Sequence, residues 1–224
     1  MSERRGQVRL VVFDLGRVMI RLCGGWEHAC RRAGVPFNAA LELQQTKQQI
    51  LHLFFLNETG QLDEAGWARG VAELSGLTPA QAAAVLDVWL DGPFPGWDAL
   101  LDRLATTGVR TACLSNTNAT HWRMMLGEHP DHLAQKLPLH RLDFRFASHL
   151  IGAHKPDPAI YRHVEAHTGV YPGAGAGAGA IVFFDDAAPN VEGARACGWH
   201  AHRIDPAADP VTQVEACLRG HGVI

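Results

Sequence analysis

A doubly wound parallel α/β sheet with an inserted helical domain is the fold the sequence predicts, and three observations predict it. From residue 95 onward, β-branched apolar runs alternate with helix-period segments. Polar residues capable of chemistry fall at the carboxyl ends of those runs. Between the first apolar run and the start of that alternation the pattern is helical throughout. Alternating strands and helices specify a parallel sheet, whose strands are buried on both faces and read as continuous hydrophobic runs.

The first strand is VRLVVF (Val8 to Phe13), an apolar run that ends on Asp14 and Gly16, as a strand feeding an active-site loop would. Four helices follow: WEHACRRAG closing on Gly34, AALELQQTKQQILHLFF, DEAGWARGVAELSG closing on Gly76, and TPAQAAAVLDVWL. Thr78 suits the N-cap of the last and Pro79 its first turn. A βαβ crossover needs one helix, so four are expected to form a cap domain, residues 21–94, on a core of residues 1–20 and 95–224. DGPFPGW (Asp91 to Trp97), rich in Pro and Gly, is expected to be the return linker.

After the linker come helix WDALLDRLATTG, strand Val109 to Ser115, helices near Ala119 to Gly127 and Asp131 to Lys136, and a short strand near Phe144 to Ser148. PDPAIYRHVEAHTG is a further helix, IVFFDD (Ile181 to Asp186) a strand, NVEGARACG a helix and WHAHRI the last strand. The low-complexity run GAGAGAGA (Gly173 to Ala180) precedes a strand and lacks the Lys-Ser/Thr of a phosphate loop, so it is expected to be a connector.

Length and composition narrow the function. A chain of 224 residues suits one α/β domain with an insertion, and 47% hydrophobic with 19% charged residues places it among compact globular proteins. A net charge of -3 and the absence of a basic run give no electrostatic reason to expect nucleic acid, so a small polar substrate fits better. The apolar run before Asp14 is too short for a signal sequence or a membrane span, and five cysteines form no CxxC pair. A cytoplasmic location without a membrane partner is therefore expected.

The chemistry rests on polar groups at strand ends in the order Asp14, Ser115-Asn116, Lys155 and Asp185-Asp186. Singly each is ordinary, as an N-cap, a turn or a surface lysine. Jointly they fall where open α/β sheets bind ligands, at the carboxyl ends of the strands. Transfer of a phosphoryl group needs a nucleophile, a divalent cation, a lysine and neutral donors for the equatorial oxygens. A carboxylate can be that nucleophile, and magnesium takes hard oxygen ligands such as the paired carboxylates.

The phrases VVFDLG (Val11 to Gly16), LSNTN (Leu114 to Asn118), KPDPAIY (Lys155 to Tyr161) and VFFDDAAPNVEGA (Val182 to Ala194) resemble, in order, the four motifs of haloacid dehalogenase-like hydrolases. The resemblance spans nearly the whole chain and is most similar to the bacterial α-D-glucose-1-phosphate phosphatase subgroup. It implies a Rossmann-like core with a C1 cap, Mg2+ as cofactor and a small phosphorylated metabolite as substrate. It implies Asp14 as nucleophile and metal ligand, with the Gly16 carbonyl and Asp186 as further ligands. Ser115 and the Asn116 N–H would hold the phosphate, and Lys155 would neutralise it. Asp185 would stand behind the metal or reach it through water. Asn190 sits where relatives often have a carboxylate orienting the metal's waters.

Gly16 is the departure. Most phosphatases that resemble this chain have a second Asp there, as acid to the leaving group and base to water; such catalysis is worth roughly 10²–10⁴-fold. An anomeric sugar phosphate has a leaving group that needs less help. Arg17 either contacts substrate or points into solvent, the commoner fate. Glu58 and Asp63, in the turn NETGQLDE, could replace the acid, although turn acids are more often inert. Dehalogenases of the superfamily carry tyrosine at position 16 and lack the acidic pair, which ranks that activity behind a phosphatase and behind a catalytically weak binding protein. His163 and His167 have helical i,i+4 spacing but no third metal ligand. His154 reads as an ordinary loop histidine, and Trp26, Trp67, Trp89 and Trp97 as fillers of the cap core and its junction.

Overall fold

The structure, a computed structural model, describes residues 7–128, 137–173 and 179–224. In chain order its regular elements begin with β1 (Leu10–Phe13), β2 (Ile20–Leu22), α1 (Trp26–Ala33), α2 (Gln44–Glu58), α3 (Glu64–Ser75), α4 (Pro79–Asp87) and β3 (Leu90–Pro93). They continue with α5 (Trp97–Ala105), β4 (Arg110–Ser115), α6 (Ala119–Leu126), β5 (Phe144–Ala147), α7 (Ser148–Ile151) and α8 (Pro158–Thr168). The last four are β6 (Ile181–Asp185), α9 (Ala188–Ala196), β7 (His200–Arg203) and α10 (Pro210–Gly220). The helix expected at Asp131 to Lys136 and the middle of the GAGAGAGA run lie outside the described residues.

Five strands form one parallel sheet in the order β5-β4-β1-β6-β7, as the alternation predicts. Alternate side chains leave opposite faces of a strand, so a doubly covered sheet needs apolar residues at every position. In β1, Val11 and Phe13 enter one core cluster, with Trp97, Leu100 and Val214, whereas Leu10 and Val12 enter the other, with Ile160, Tyr161 and Val191. β6 divides likewise, Val182 and Phe184 against Ile181 and Phe183. Phe13 meets Trp97 edge-on at 5.1 Å, so Trp97 fills the core beneath the sheet rather than the helical insert.

Helices α1 to α4 gather around a third cluster of their own, which includes Trp26, Trp67, Val71 and Leu86. Their ends follow local rules: Gly34 and Gly76 close α1 and α3 in the left-handed conformation, Asp63 caps α3, and Thr78 with Gln81 forms a capping box on α4. The expected helix AALELQQTKQQILHLFF is broken, because Leu43 is extended and separates a 3-10 turn at Ala39–Glu42 from α2.

Two elements depart from the sequence reading. The first part of the expected linker, Asp91 to Pro93, belongs to strand β3, paired antiparallel with β2 into a two-stranded ribbon, and only the remainder connects. The ribbon stands between the insert and the sheet, and its Ile20 and Leu90 belong to the first core cluster. The chain also ends in helix α10, capped by Asp209 with Pro210 in its first turn. No helix among the described residues is long and apolar enough to cross a membrane.

One glycine sets how closely α9 lies on the loop after α7. A Cβ at Gly193 would fall 2.9 Å from both Cβ and the carbonyl oxygen of Pro156. Gly193→Ala is therefore expected to destabilise the fold by about 1–3 kcal/mol through overpacking. A drop in the urea midpoint checks this, and an unchanged midpoint would show that the loop yields freely.

Candidate active site

The carboxyl ends of β1, β4 and β6 are adjacent in the sheet and bring Asp14, Ser115 and Asp185 to one edge. Lys155 arrives there from the loop before α8 and is 1% exposed, among the largest fully buried side chains of the protein. Its Nζ uses three donors: to Asp14 Oδ1 at 2.7 Å, to Asp185 Oδ2 at 2.7 Å and to the Leu114 carbonyl at 2.8 Å. The lysine thus ties three strands together, and the Leu114 carbonyl is a partner that sequence reasoning did not foresee.

The two neighbouring carboxylates of β6 have different surroundings. Asp185 Oδ1 accepts from the Ala187 N–H at 2.9 Å and from Asn190 Nδ2 at 3.0 Å, while Oδ2 accepts from Lys155 and, at 3.2 Å, from Asn190. Its oxygens are engaged. Asn190 is in turn fixed by Tyr161, whose hydroxyl donates to the Asn190 carbonyl at 2.7 Å. Asp186 is more open, with Arg17 Nη1 3.9 Å from Oδ2 and Arg203 Nε donating to its main-chain carbonyl at 3.1 Å. One oxygen each of Asp14, Asp185 and Asp186 lies within 4.8 Å of the others, the one such group of three potential metal-binding side chains among the described residues.

Three carboxylates around one ammonium leave the site negative, and the acidities reflect it. Burial, reinforced by Asp185 and Asp186 and opposed by Lys155, raises the Asp14 carboxyl to about 7. Burial would lower Lys155, but the charges of Asp14 and Asp185 outweigh it and hold the ammonium above its ordinary range. Asp186 is raised by burial and by Asp185, against the pull of Arg17.

Around this centre, Asn116 bridges loops. Its Oδ1 accepts the Lys155 N–H at 2.8 Å, and its Nδ2 donates to the Lys155 carbonyl at 3.0 Å and lies 3.0 Å from His154 Nδ1. His154 is therefore no idle loop residue: its Nε2 is 2.9 Å from Glu58 Oε2 at the end of α2. Two more polar links join the insert to the sheet domain, Thr120 to Glu64 and His121 Nε2 to the Leu86 carbonyl at 2.8 Å. Asp63 is committed elsewhere, accepting the Gly66 N–H as the cap of α3. Arg17 is half exposed yet leans toward Asp186, from a backbone at φ 61 that only glycine and a few polar residues adopt readily. His163 and His167 stack on one another at 3.9 Å against Phe146, a packing role.

Comparison with known proteins follows the same lines. The family model for haloacid dehalogenase-like hydrolases matches residues 17–198. Among curated proteins, one named as a phosphatase, from Mycobacterium tuberculosis, is 40% identical over 74 residues. That stretch is 33% of this chain and 31% of the relative, so the match covers about a third of each. Among solved structures, one described as a predicted HAD-like family hydrolase from Porphyromonas gingivalis has a TM-score of 0.72 and 24% identity, over 96% of this chain and 99% of that one. A HAD family enzyme of Bacteroides thetaiotaomicron, in complex with magnesium and inorganic phosphate, has a TM-score of 0.69 and 22% identity, over 90% and 96%. At such identities the likeness speaks for the fold, while chemistry has to be argued from the site.

Proposed function

The chain belongs to the haloacid dehalogenase-like hydrolases, and from that premise we propose that it is a magnesium-dependent phosphatase of small phosphorylated metabolites, working through a phosphoryl group carried on Asp14. The observation that carries this reading is the buried Lys155 shared by Asp14 and Asp185, with Asp186 at hand, on the carboxyl edge of a parallel sheet.

The donor set fits magnesium: hard carboxylate oxygens, two of them on groups, Asp14 and Asp186, that burial and then their acidic neighbours make harder to ionise without a cation. Asp14, the Gly16 carbonyl and Asp186 would hold the ion, and Asp185, saturated by Lys155, Ala187 and Asn190, would keep the arrangement rigid. Once bound, the ion supplies charge neutralisation at the phosphoryl oxygens.

Lys155 occupies Asp14 Oδ1, which leaves Oδ2 to attack. Oδ2 forms a bond to phosphorus as the bond to the ester oxygen breaks, and the alcohol departs with a proton. Water then attacks phosphorus, the bond to Oδ2 breaks, and inorganic phosphate leaves with Asp14 restored. Ser115 Oγ and the Asn116 N–H would donate to the phosphoryl oxygens, and Lys155 would offset their charge. The insert, residues 21–94, serves as the cap that selects the alcohol. Sugar phosphates head the list to test, because an anomeric oxygen leaves with little help and position 16 offers none.

Phosphate release from a panel of sugar phosphates, with and without magnesium, tests the reading. Metal-dependent release is expected, and its absence across the panel would overturn it. The rival reading, a weak ligand-binding protein, draws on Arg17 beside Asp186 and on the bare Gly16; it would give phosphate binding without turnover.

A pH dependence follows. With Asp14 raised to about 7, the folded metal-free protein holds a proton that the unfolded chain has lost above its ordinary value of 3.8, so stability falls as pH rises through that window. Magnesium competes with this proton. The rise in Tm on adding magnesium is therefore expected to be small near about pH 5.5 and larger near about pH 8. Equal shifts at both would contradict the assignment of Asp14 as a ligand.

A further inference from the structure

Position 16 has no side chain to exchange a proton with the departing alcohol, but the insert brings a carboxylate, Glu58, to the loop that carries Lys155. Glu58 and His154 are bonded at 2.9 Å, with side chains only 21% and 24% exposed. His154 precedes Lys155 in the chain, and its ring rests on Asn116. The Asn116 amide is oriented by Lys155, whose N–H donates to Oδ1 and whose carbonyl accepts from Nδ2. Facing that Nδ2, His154 Nδ1 must accept, so the neutral ring carries its proton on Nε2 and donates it to Glu58 Oε2. Glu58 Oε1 then has no hydrogen bond among the described residues and is the atom able to trade a proton with a ligand.

The pair borders a pocket of about 300 Å³ lined by Leu51, Phe54, Phe55, Glu58, Trp89 and His154. Aromatic walls with a single hydrogen-bonding end suit an alcohol that has both apolar faces and hydroxyls. We propose that Glu58, positioned by His154, is the proton-transfer residue for the alcohol oxygen of the ester, and that the alcohol occupies this pocket. The proposal rests on the phosphatase reading above.

In the first half-reaction, Asp14 Oδ2 bonds to phosphorus, the phosphorus–oxygen ester bond breaks, and the Glu58 carboxyl gives its proton to the leaving oxygen. In the second, the Glu58 carboxylate takes a proton from water as the water oxygen bonds to phosphorus and the bond to Asp14 breaks. Glu58 thus regains the proton it gave up.

The test compares wild type with Glu58→Gln on two esters in the presence of magnesium: p-nitrophenyl phosphate, whose leaving group needs no proton, and the best-hydrolysed alkyl phosphate of the panel whose ester oxygen is not anomeric, so that its departure needs a proton. The readout is kcat/KM, which reports steps up to departure of the alcohol. Glu58→Gln is expected to lose roughly 10²-fold or more on the alkyl ester and little on the aryl one, whose retention also shows that the variant is folded. Equal losses on both esters, or none on the alkyl ester, would overturn the proposal. A wild type that hydrolyses neither ester would instead overturn the phosphatase reading, and this inference with it.

Discussion

Asp14→Asn is expected to reduce phosphate release by at least about 10⁴-fold while leaving the protein folded. An amide cannot form the phosphoryl bond, yet it occupies nearly the same volume, and Lys155 keeps its bonds to Asp185 and to the Leu114 carbonyl. The stability effect should have the opposite sign to the usual active-site lesion. The Asp14 carboxyl is raised to about 7 in the metal-free protein, so above that pH its charged form makes folding less favourable than a neutral isostere would. Near about pH 8 without magnesium, the variant should melt above wild type, and the difference should shrink as pH falls toward the unfolded value of 3.8. A phosphate-release assay and a thermal melt check both halves; a variant that still turns over would show that Asp14 is not the nucleophile.

Lys155→Met should be the most destabilising single change in the site. The ammonium is 1% exposed and is the counter-charge that Asp14 and Asp185 share in the protein interior. Removing one partner of a buried ion pair typically costs about 3–5 kcal/mol, because the remaining charge is stranded without solvent. In a chain of this size that corresponds to a fall in Tm on the order of 10 °C. The loss should be largest at alkaline pH, where Asp14 is charged, and should shrink as pH falls and Asp14 takes up its proton. Magnesium should recover part of it by supplying charge to the same carboxylates. A melt unchanged by the substitution would mean that Lys155 does not bear the charge balance of the site.

Much of this was legible from the sequence because buried parallel strands leave an unmistakable trace. β1 and β6 are apolar at every position facing either core, and their ends name Asp14 and Asp185 directly. The order of Asp14, Ser115, Lys155 and the Asp185-Asp186 pair is a chain property, and the parallel sheet turns it into a shared edge. The ribbon of β2 and β3 was not legible: one partner has only three residues, too few to read as a strand, and the other contains Gly92 and Pro93, which disfavour one. α10 carries a sequence signal in Asp209-Pro210, a cap followed by a first-turn proline.

The contacts between the insert and the sheet were the least readable. Glu58 and His154 are 96 residues apart and meet only because the insert sits over the loop before α8. No local pattern distinguishes Glu58 from Asp63 in the same turn, yet one faces His154 and the other caps a helix. Arg17 is similar: its left-handed backbone and its approach to Asp186 belong to the folded loop, where sequence offers only an arginine after a glycine.

Asp14 is expected to carry the phosphoryl group between the two half-reactions. Rapid acid quenching of the wild-type protein during turnover with magnesium, followed by intact and peptide mass spectrometry, tests it most directly. An adduct of one phosphoryl mass is expected on the peptide containing Asp14, absent without magnesium and absent in Asp14→Asn. Sustained phosphate release with no adduct on that peptide, or an adduct that persists in Asp14→Asn, would contradict it.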